Sequence, residues 1–422
     1  MTAYTLRCQE CGRSYDDDGL RLACDQPHEP SLLRTEYAAR TLAVDPAGEG
    51  AMRYAGWLPL RSPTRAFGAP AIFQSAALNR ELGMADLWIA FSGYWPQRGA
   101  TLQTGTFKDI EATAVLGRLP RGGERLVIAS AGNTALALAS ACAQLEVPVV
   151  VVVPEPVVSR LRLPASVAER IAFVTVAGGT YDDAIVLAKD LGGVEGFVFE
   201  GGVANVARRD GIATVLYAAA EMMGRLPAVY AQAIGSGAGA IAAYEAALRL
   251  RDDGRFGCDL PRLVLVQNAP AAPVYDAWRA GSRTLLTGPA TRPGEPVALE
   301  ATVLGVQAPP YAVVGGLWDA LQACDGHVLT AENAEARAAR EWFAELEGID
   351  LEPAAGVALA GLRRALADGS VAADACVLLH LTGGGRRGCE AGWTAAPRVV
   401  ATIARDLLGD TARLREALAS VA

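Results

Sequence analysis

The sequence predicts an α/β protein built on parallel sheets. Three observations carry this. From Arg125 onward, short β-branched runs alternate with helical stretches, the pattern of successive βαβ units. The chain has 422 residues, enough for two or three domains and a large core without disulfide staples. Apolar residues make up 51% of it and charged residues 20%, which excludes a disordered chain.

Taken in order, the first thirty residues stand apart as a Cys-rich segment with an Asp16-Asp17-Asp18-Gly19 turn, and residues 31–125 are irregular. Leu126–Ala129 then reads as a strand and Thr134–Leu145 as an Ala-rich helix. The run Val149–Val153 is short, β-branched and bounded by prolines, which marks a buried strand rather than a membrane span. A helix is expected near Val158–Arg170, a strand at Ala172–Val176, a helix at Tyr181–Asp190 and a strand at Phe197–Phe199. The alternation continues with the helix Ile212–Met223, the strand Ala228–Ile234, the helix Ile241–Leu250 and the strand Leu263–Val266. Residues 282–316 are loop-rich. Helices follow at Glu332–Leu346 and Pro353–Ala367, then a strand at Ala375–Leu381 and a last helix at Arg398–Leu408.

Charge and composition narrow the function. The net charge of −8 argues against a nucleic-acid binder and against a polybasic membrane anchor. No apolar run reaches the length of a membrane helix, and Met1–Arg7 lacks the pattern of a signal peptide, so a cytoplasmic protein is expected. The eight cysteines then read as thiols or metal ligands. Only two lysines occur, Lys108 and Lys189, so lysine chemistry has two candidates.

Four segments could carry chemistry. Thr104-Gly105-Thr106-Phe107-Lys108-Asp109 places a lysine at a helix start, where the positive end of the dipole favours the neutral amine. Ser130-Ala131-Gly132-Asn133-Thr134 joins a strand to a helix and offers backbone amides to an anion. Gly235-Ser236-Gly237-Ala238-Gly239 does the same and reads as a single phosphate loop, because no acidic residue ends a strand where a dinucleotide site needs one. Thr382-Gly383-Gly384-Gly385-Arg386-Arg387 follows a buried strand, so its hydroxyl faces the crevice where open α/β sheets bind ligands. Taken alone, each also fits an ordinary capped helix or glycine turn.

A fifth feature is separate. Cys8-x2-Cys11, Cys24 and His28 have the spacing of a zinc site with four ligands and no open position, hence a structural one; a small lobe packed without metal is the other reading. His327 and His380 form no His–acid constellation in the sequence, which argues against a Ser/His hydrolase.

The four segments in this order resemble the fold type II pyridoxal-phosphate (PLP) enzymes of the tryptophan synthase β-like group, the threonine synthase branch most of all. Threonine synthases read P-T-G-S-F-K-D where this chain has Gln103–Asp109, and S-T-G-N-T where it has Ser130–Thr134. The segment Leu87–Ala100 lacks the K-x-E of threonine synthase and carries Tyr94-Trp95-Pro96; with Leu32–Tyr37 and Arg53–Pro59 it is similar to the cysteate synthase family. After the turn that family reads F-K-E-L-E-A, here Phe107–Ala112.

The resemblance implies two open parallel-sheet α/β domains with the cofactor between them: residues 31–115 with 205–422 as the larger, 116–204 as the smaller carrying the Asn loop, and 1–30 as a Cys-rich lobe. It implies that Lys108 holds PLP and acts as base, Asn133 bonds its phenolic oxygen, Gly235–Gly239 binds its phosphate and Thr382 sits by its pyridine nitrogen. Ser130, Ala131, Gly132 and Thr134 would take the substrate carboxylate. The implied reaction is β-replacement, L-cysteate from O-phosphoserine and sulfite, with threonine synthesis from O-phosphohomoserine as the alternative and an inactive binding protein as a third reading. Both anions call for cations, and Arg98, Arg386 and Arg387 are the candidates. Enzymes of this fold are commonly oligomers, so a homo-oligomer is expected. Lys189, in a charged helix face, is expected to be dispensable.

Overall fold

Two large sheets, parallel but for one edge strand, and two small antiparallel ones carry the described residues. A computed structural model describes residues 3–130, 132–286 and 298–417. The larger sheet has six strands, in spatial order His327–Ala331, Arg262–Asn268, Val229–Ala233, Val377–Leu381, Leu87–Phe91 and Ala71–Phe73, all parallel except the last. Strand order changes direction between Val229–Ala233 and Val377–Leu381, the point where open α/β sheets form a ligand crevice at their carboxyl ends. The loops leaving these two neighbours are Gly235–Gly239 and Thr382–Gly385.

The smaller sheet is fully parallel, in the order Phe197–Phe199, Arg125–Ala129, Val149–Pro154, Ala172–Val176 and Arg398–Ile403. Val149–Pro154 is buried along its whole length, as a strand covered on both faces must be. The loop carrying Asn133 leaves this sheet from Arg125–Ala129.

Residues 398–408 correct the sequence reading. They form a strand and a single 3-10 turn, not a helix. Val399, Val400, Thr402 and Ile403 are β-branched and fit the open edge of Ala172–Val176, where Thr175 and Thr402 hydroxyls meet at 2.9 Å. These residues therefore pair with the smaller sheet, although the expected boundary assigned them to the larger domain. The helix expected at Val158–Arg170 is likewise a 3-10 turn, Glu155–Arg160, and one helical turn, Ala165–Ala168, because Pro164 interrupts the run. Two helices begin earlier than expected. Asn205 caps Val206–Met223 by accepting from the Ala207 amide at 3.1 Å, and Gly237, at φ 83°, starts Ala238–Asp253.

At the N-terminus Tyr4–Cys8 pairs antiparallel with Ser14–Tyr15 and with Leu33–Tyr37, so the Cys-rich lobe runs to Tyr37 rather than to residue 30. Several buried polar groups seat it: Arg209 donates to the Leu33 carbonyl, Asp210 accepts from the Thr35 and Tyr37 hydroxyls, and Arg118 holds the turn at Asp17. Arg118, 1% exposed, ends the helix Lys108–Arg118 and gives both carboxylate oxygens of Asp17 a hydrogen bond (2.7 and 2.8 Å), with further bonds to the Arg21 carbonyl and Asn205 Oδ1. Breaking a buried pair of this kind typically costs about 3–5 kcal/mol, because one charge is left uncompensated. Among the described residues no helix is long and apolar enough to cross a membrane.

Candidate active site

Lys108 begins its helix after a loop that the sequence ties down locally. Asp109 accepts from the Thr104 amide (2.7 Å) and hydroxyl (2.9 Å), which closes the turn; burial pushes its carboxyl up to about 7. The Phe107 amide donates to the Thr382 carbonyl at 3.0 Å, and the Gly384 amide to the Gly105 carbonyl at 3.0 Å. The lysine loop and the Thr382 loop are thus laced together by backbone bonds.

The Lys108 amine does not face a void. It pairs with Glu111, one helical turn on, which is in turn held by Arg208 at 3.2 Å; Arg208 also pairs with Glu200. Lys108 lies over the Phe107 ring at 4.2 Å. Burial lowers the Lys108 pKa, Glu111 opposes that, and Arg208 adds to it.

Asn133 opens the helix Asn133–Leu145. Its Nδ2 donates to Glu352 Oε1 at 2.7 Å, and its Oδ1 accepts from Arg386 Nη1 at 3.0 Å. Glu352, 4% exposed, precedes Pro353 at the start of its helix, and its amide donates to the Gly383 carbonyl at 3.0 Å. Burial raises its pKa. Ser130 Oγ accepts from the Gly132 amide at 3.2 Å; Thr134 lies in the first turn of the helix, and Ala131 lies outside the described residues.

The glycine loop meets the same region. A side chain at Gly235 would reach the Leu304 backbone (3.2 Å), and one at Gly132 would touch Val303 (3.6 Å), so the segment carrying Val303 lies against both loops. Ser236, Gly237, Ala238 and Gly239 lead into the helix Ala238–Asp253, and Ala238 packs in a cluster that includes Phe107. Thr382 is buried, and Thr106 Oγ1 is buried with no hydrogen-bond partner.

The arginines separate. Arg386 is at the site, shared among Asn133, Glu352 (3.9 Å) and Glu390. Arg387 follows it and is exposed. Arg98 departs from expectation: it pairs with Glu347 at 3.3 Å and stacks on Phe73 (4.5 Å) and Trp95 (4.8 Å), so its charge is spent away from the residues around Lys108. Trp95 packs edge-on against Phe73 and Phe91, while the Tyr94 amide donates to the Gly384 carbonyl. The Tyr-Trp-Pro segment thus supports the Thr382 loop from below.

Sequence reasoning missed Glu352, Glu111, Arg208 and Glu200. Glu111 had a signal, its three-residue spacing from Lys108 on one helix. Glu352 looked like a helix start, and Arg208 and Glu200 lie too far along the chain to be linked by spacing. The structure does contain a Ser–His pair, Ser92 Oγ to His380 Nε2 at 2.9 Å, but both residues are fully buried and the other ring nitrogen meets the Tyr230 hydroxyl at 2.7 Å. Burial holds His380 down to about 3, so it is a neutral strut under Thr382, not a base. A separate cleft of about 530 Å³, lined by Tyr4, Asp16, Glu36, Arg40 and Arg61 among others, lies at the N-terminal lobe and includes none of the residues around Lys108.

Comparison with known proteins gives the family and the fold. Residues 68–383 match the family described as pyridoxal-phosphate dependent enzyme. The cysteate synthase of Methanoregula boonei is 44% identical over 413 residues, 97% of this chain and 96% of its own. That of Methanocorpusculum labreanum is 42% identical over 397 residues, covering 92% and 96%. Among solved structures, threonine deaminase isoform 2 from Solanum lycopersicum aligns with a TM-score of 0.60 at 17% identity, covering 84% of this chain and 95% of that one. Maize serine racemase aligns at 0.57 and 15%, covering 75% and 89%. These structural likenesses establish the fold.

Proposed function

The chain belongs to the pyridoxal-phosphate dependent enzymes, in the cysteate synthase family, and from that premise we propose that it makes L-cysteate from O-phospho-L-serine and sulfite with release of phosphate. The observation that carries the substrate class is Arg386, a guanidinium held on Asn133 and Glu352 beside the Thr382 loop, in a chain that matches cysteate synthases over nine-tenths of its length.

The residues fit the cofactor. The positive φ of Gly237 turns the chain into a helix whose first amides are donors for a phosphate, and a side chain at Gly235 would press on the Leu304 backbone at 3.2 Å. Thr106 leaves a buried hydroxyl without a partner. Lys108 would hold the aldehyde carbon, Gly235–Gly239 the phosphate, Thr382 the ring nitrogen and Asn133 the phenolic oxygen. Bound there, pyridoxal phosphate supplies a ring that accepts electrons from the substrate α-carbon, and a hydroxyl rather than a carboxylate at its nitrogen suits β-replacement.

The chain's own residues prepare the proton transfer. Lys108 takes the α-proton, and burial together with Arg208 favours the free amine this requires. Glu111 then holds the resulting ammonium through the contact already formed. Arg386 is the anion acceptor: Glu390 holds it from a partly exposed position and yields it to an incoming phosphate or sulfite oxygen pair, which binds a guanidinium bidentately. Ser130 and Thr134 offer their amides to the substrate carboxylate, and the Gly132 amide would join them by leaving Ser130 Oγ. The test is phosphate release from O-phosphoserine by the purified protein with and without sulfite, with the product mass measured. Sulfite-dependent release with a cysteate mass is expected; release from O-phosphohomoserine alone, giving threonine, overturns the reading.

A further inference from the structure

We propose that Cys8, Cys11, Cys24 and His28 bind one zinc ion in a closed tetrahedral site, and that this metal keeps the N-terminal lobe seated on Arg118. The site lies outside the residues assigned to the reaction. Cys8 ends the strand Tyr4–Cys8, and Cys11 follows in a tight turn in which the Gly12 amide donates to the Cys8 carbonyl at 3.1 Å, with Gly12 at φ 72°. Cys24 and His28 come from the loop that returns to Leu33.

The four ligand atoms lie within 4.8 Å of one another. Zinc–sulfur bonds of about 2.3 Å at tetrahedral angles put sulfurs about 3.7 Å apart. Cys11 Sγ and Cys24 Sγ are 3.7 Å apart, and Cys8 Sγ is 3.4 Å from His28 Nε2. A disulfide needs about 2.05 Å between sulfurs, so Cys11 and Cys24 are spaced for a shared ion and not for a bond to each other.

The ring of His28 is set for coordination. Its Nδ1 is 2.7 Å from the Glu29 carbonyl, which can only accept, so Nδ1 carries the hydrogen and the neutral ring turns the lone pair of Nε2 toward the sulfurs. The Ser31 hydroxyl stands 3.0 Å from Cys8 Sγ as a donor that supports a thiolate, and the Gln26 amide donates to Cys24 Sγ at 3.5 Å. Four protein ligands leave no open position, which makes the site structural rather than catalytic. What it organises is the loop between Tyr15 and Cys24, and that loop carries Asp17, the carboxylate under Arg118 at the end of the Lys108 helix.

The experiment uses the full chain purified without a histidine tag. Elemental analysis is expected to give about one zinc per chain, lost in Cys24→Ser. Zinc-edge absorption on the unaltered protein is expected to show three sulfurs near 2.3 Å and one nitrogen near 2.0 Å. Removal of the metal by a chelator is expected to speed amide hydrogen exchange in residues 4–37 and at the C-terminal end of the Lys108 helix before the rest of the fold. Protein grown with zinc that carries less than about a tenth of an equivalent, a Cys11–Cys24 disulfide by mass, or a zinc shell without sulfur overturns the site. Unchanged exchange after zinc removal overturns its role. The absorption measurement decides the matter even where Cys24→Ser does not fold.

Discussion

Two ion clusters flank the site, and they are built differently. On the lysine side, Lys108, Glu111, Arg208 and Glu200 form a chain of opposite charges whose side chains are between 1% and 16% exposed. On the asparagine side, Glu352 is buried, but its partner Arg386 is 26% exposed and Glu390 is 36% exposed. The first cluster is sealed, and burial there lowers the Lys108 pKa. The second opens to solvent and can trade one of its anions for a ligand. On the roles proposed above, the first suits the movement of one proton and the second the capture of an oxyanion.

The comparison breaks first at Lys108. Lys108→Ala removes the proposed base, so activity is expected to fall by at least about 10²–10⁴-fold, with loss of the absorption of the bound cofactor; retained absorption would reassign the lysine. Arg208→Met is next. It leaves Glu200 buried without its cation and Glu111 with Lys108 alone, and a loss of about 3–5 kcal/mol in unfolding free energy is expected by chemical denaturation. On the open side, Arg386→Ala is expected to cost about 10- to 100-fold in kcat/KM for the phosphorylated substrate, in line with charge-assisted hydrogen bonds worth about 1.5–3 kcal/mol, while leaving stability near that of the parent. Arg98→Ala should change kcat/KM by less than about fivefold, the scale of an exposed ion pair. An Arg98 effect as large as that of Arg386 would place the anion pocket elsewhere.

Asp109 sharpens the contrast through pH. Burial lifts its carboxyl from 3.8 to about 7, so between those values the folded chain binds more protons than the unfolded one. The contribution of this group is therefore fully present below about pH 4 and is lost as pH rises through 7. Denaturation midpoints measured from pH 4 to 8 should show that fall in the parent and a shallower one in Asp109→Asn.

The candidate site was legible in the sequence where its motifs are local. Lys108, Asn133 and the glycine loop each stand where a turn meets a helix, and Thr382 directly follows a strand, so a short motif records each. Glu352 and Arg208 escaped because their roles come from partners far off in the chain, Asn133 for the one and Glu111 for the other. Arg386 and Arg98 looked equivalent as arginines near glycines; only Glu347, Phe73 and Trp95 tell them apart. In the fold, buried strands such as Val149–Pro154 announced themselves by β-branching. Arg398–Ile403 did not, because it lies at a sheet edge with half its residues exposed, and its mixed polarity resembled an amphipathic helix.

That edge strand sets an order on biosynthesis. Ala172–Val176 emerges early, but the strand that covers its flank is translated only after the whole larger sheet. Until then the nascent chain presents a bare row of amides and carbonyls on an apolar ribbon, the kind of surface that recruits other chains. Yield in a cell should depend on how quickly the closing strand arrives, or on a chaperone that shields the gap meanwhile.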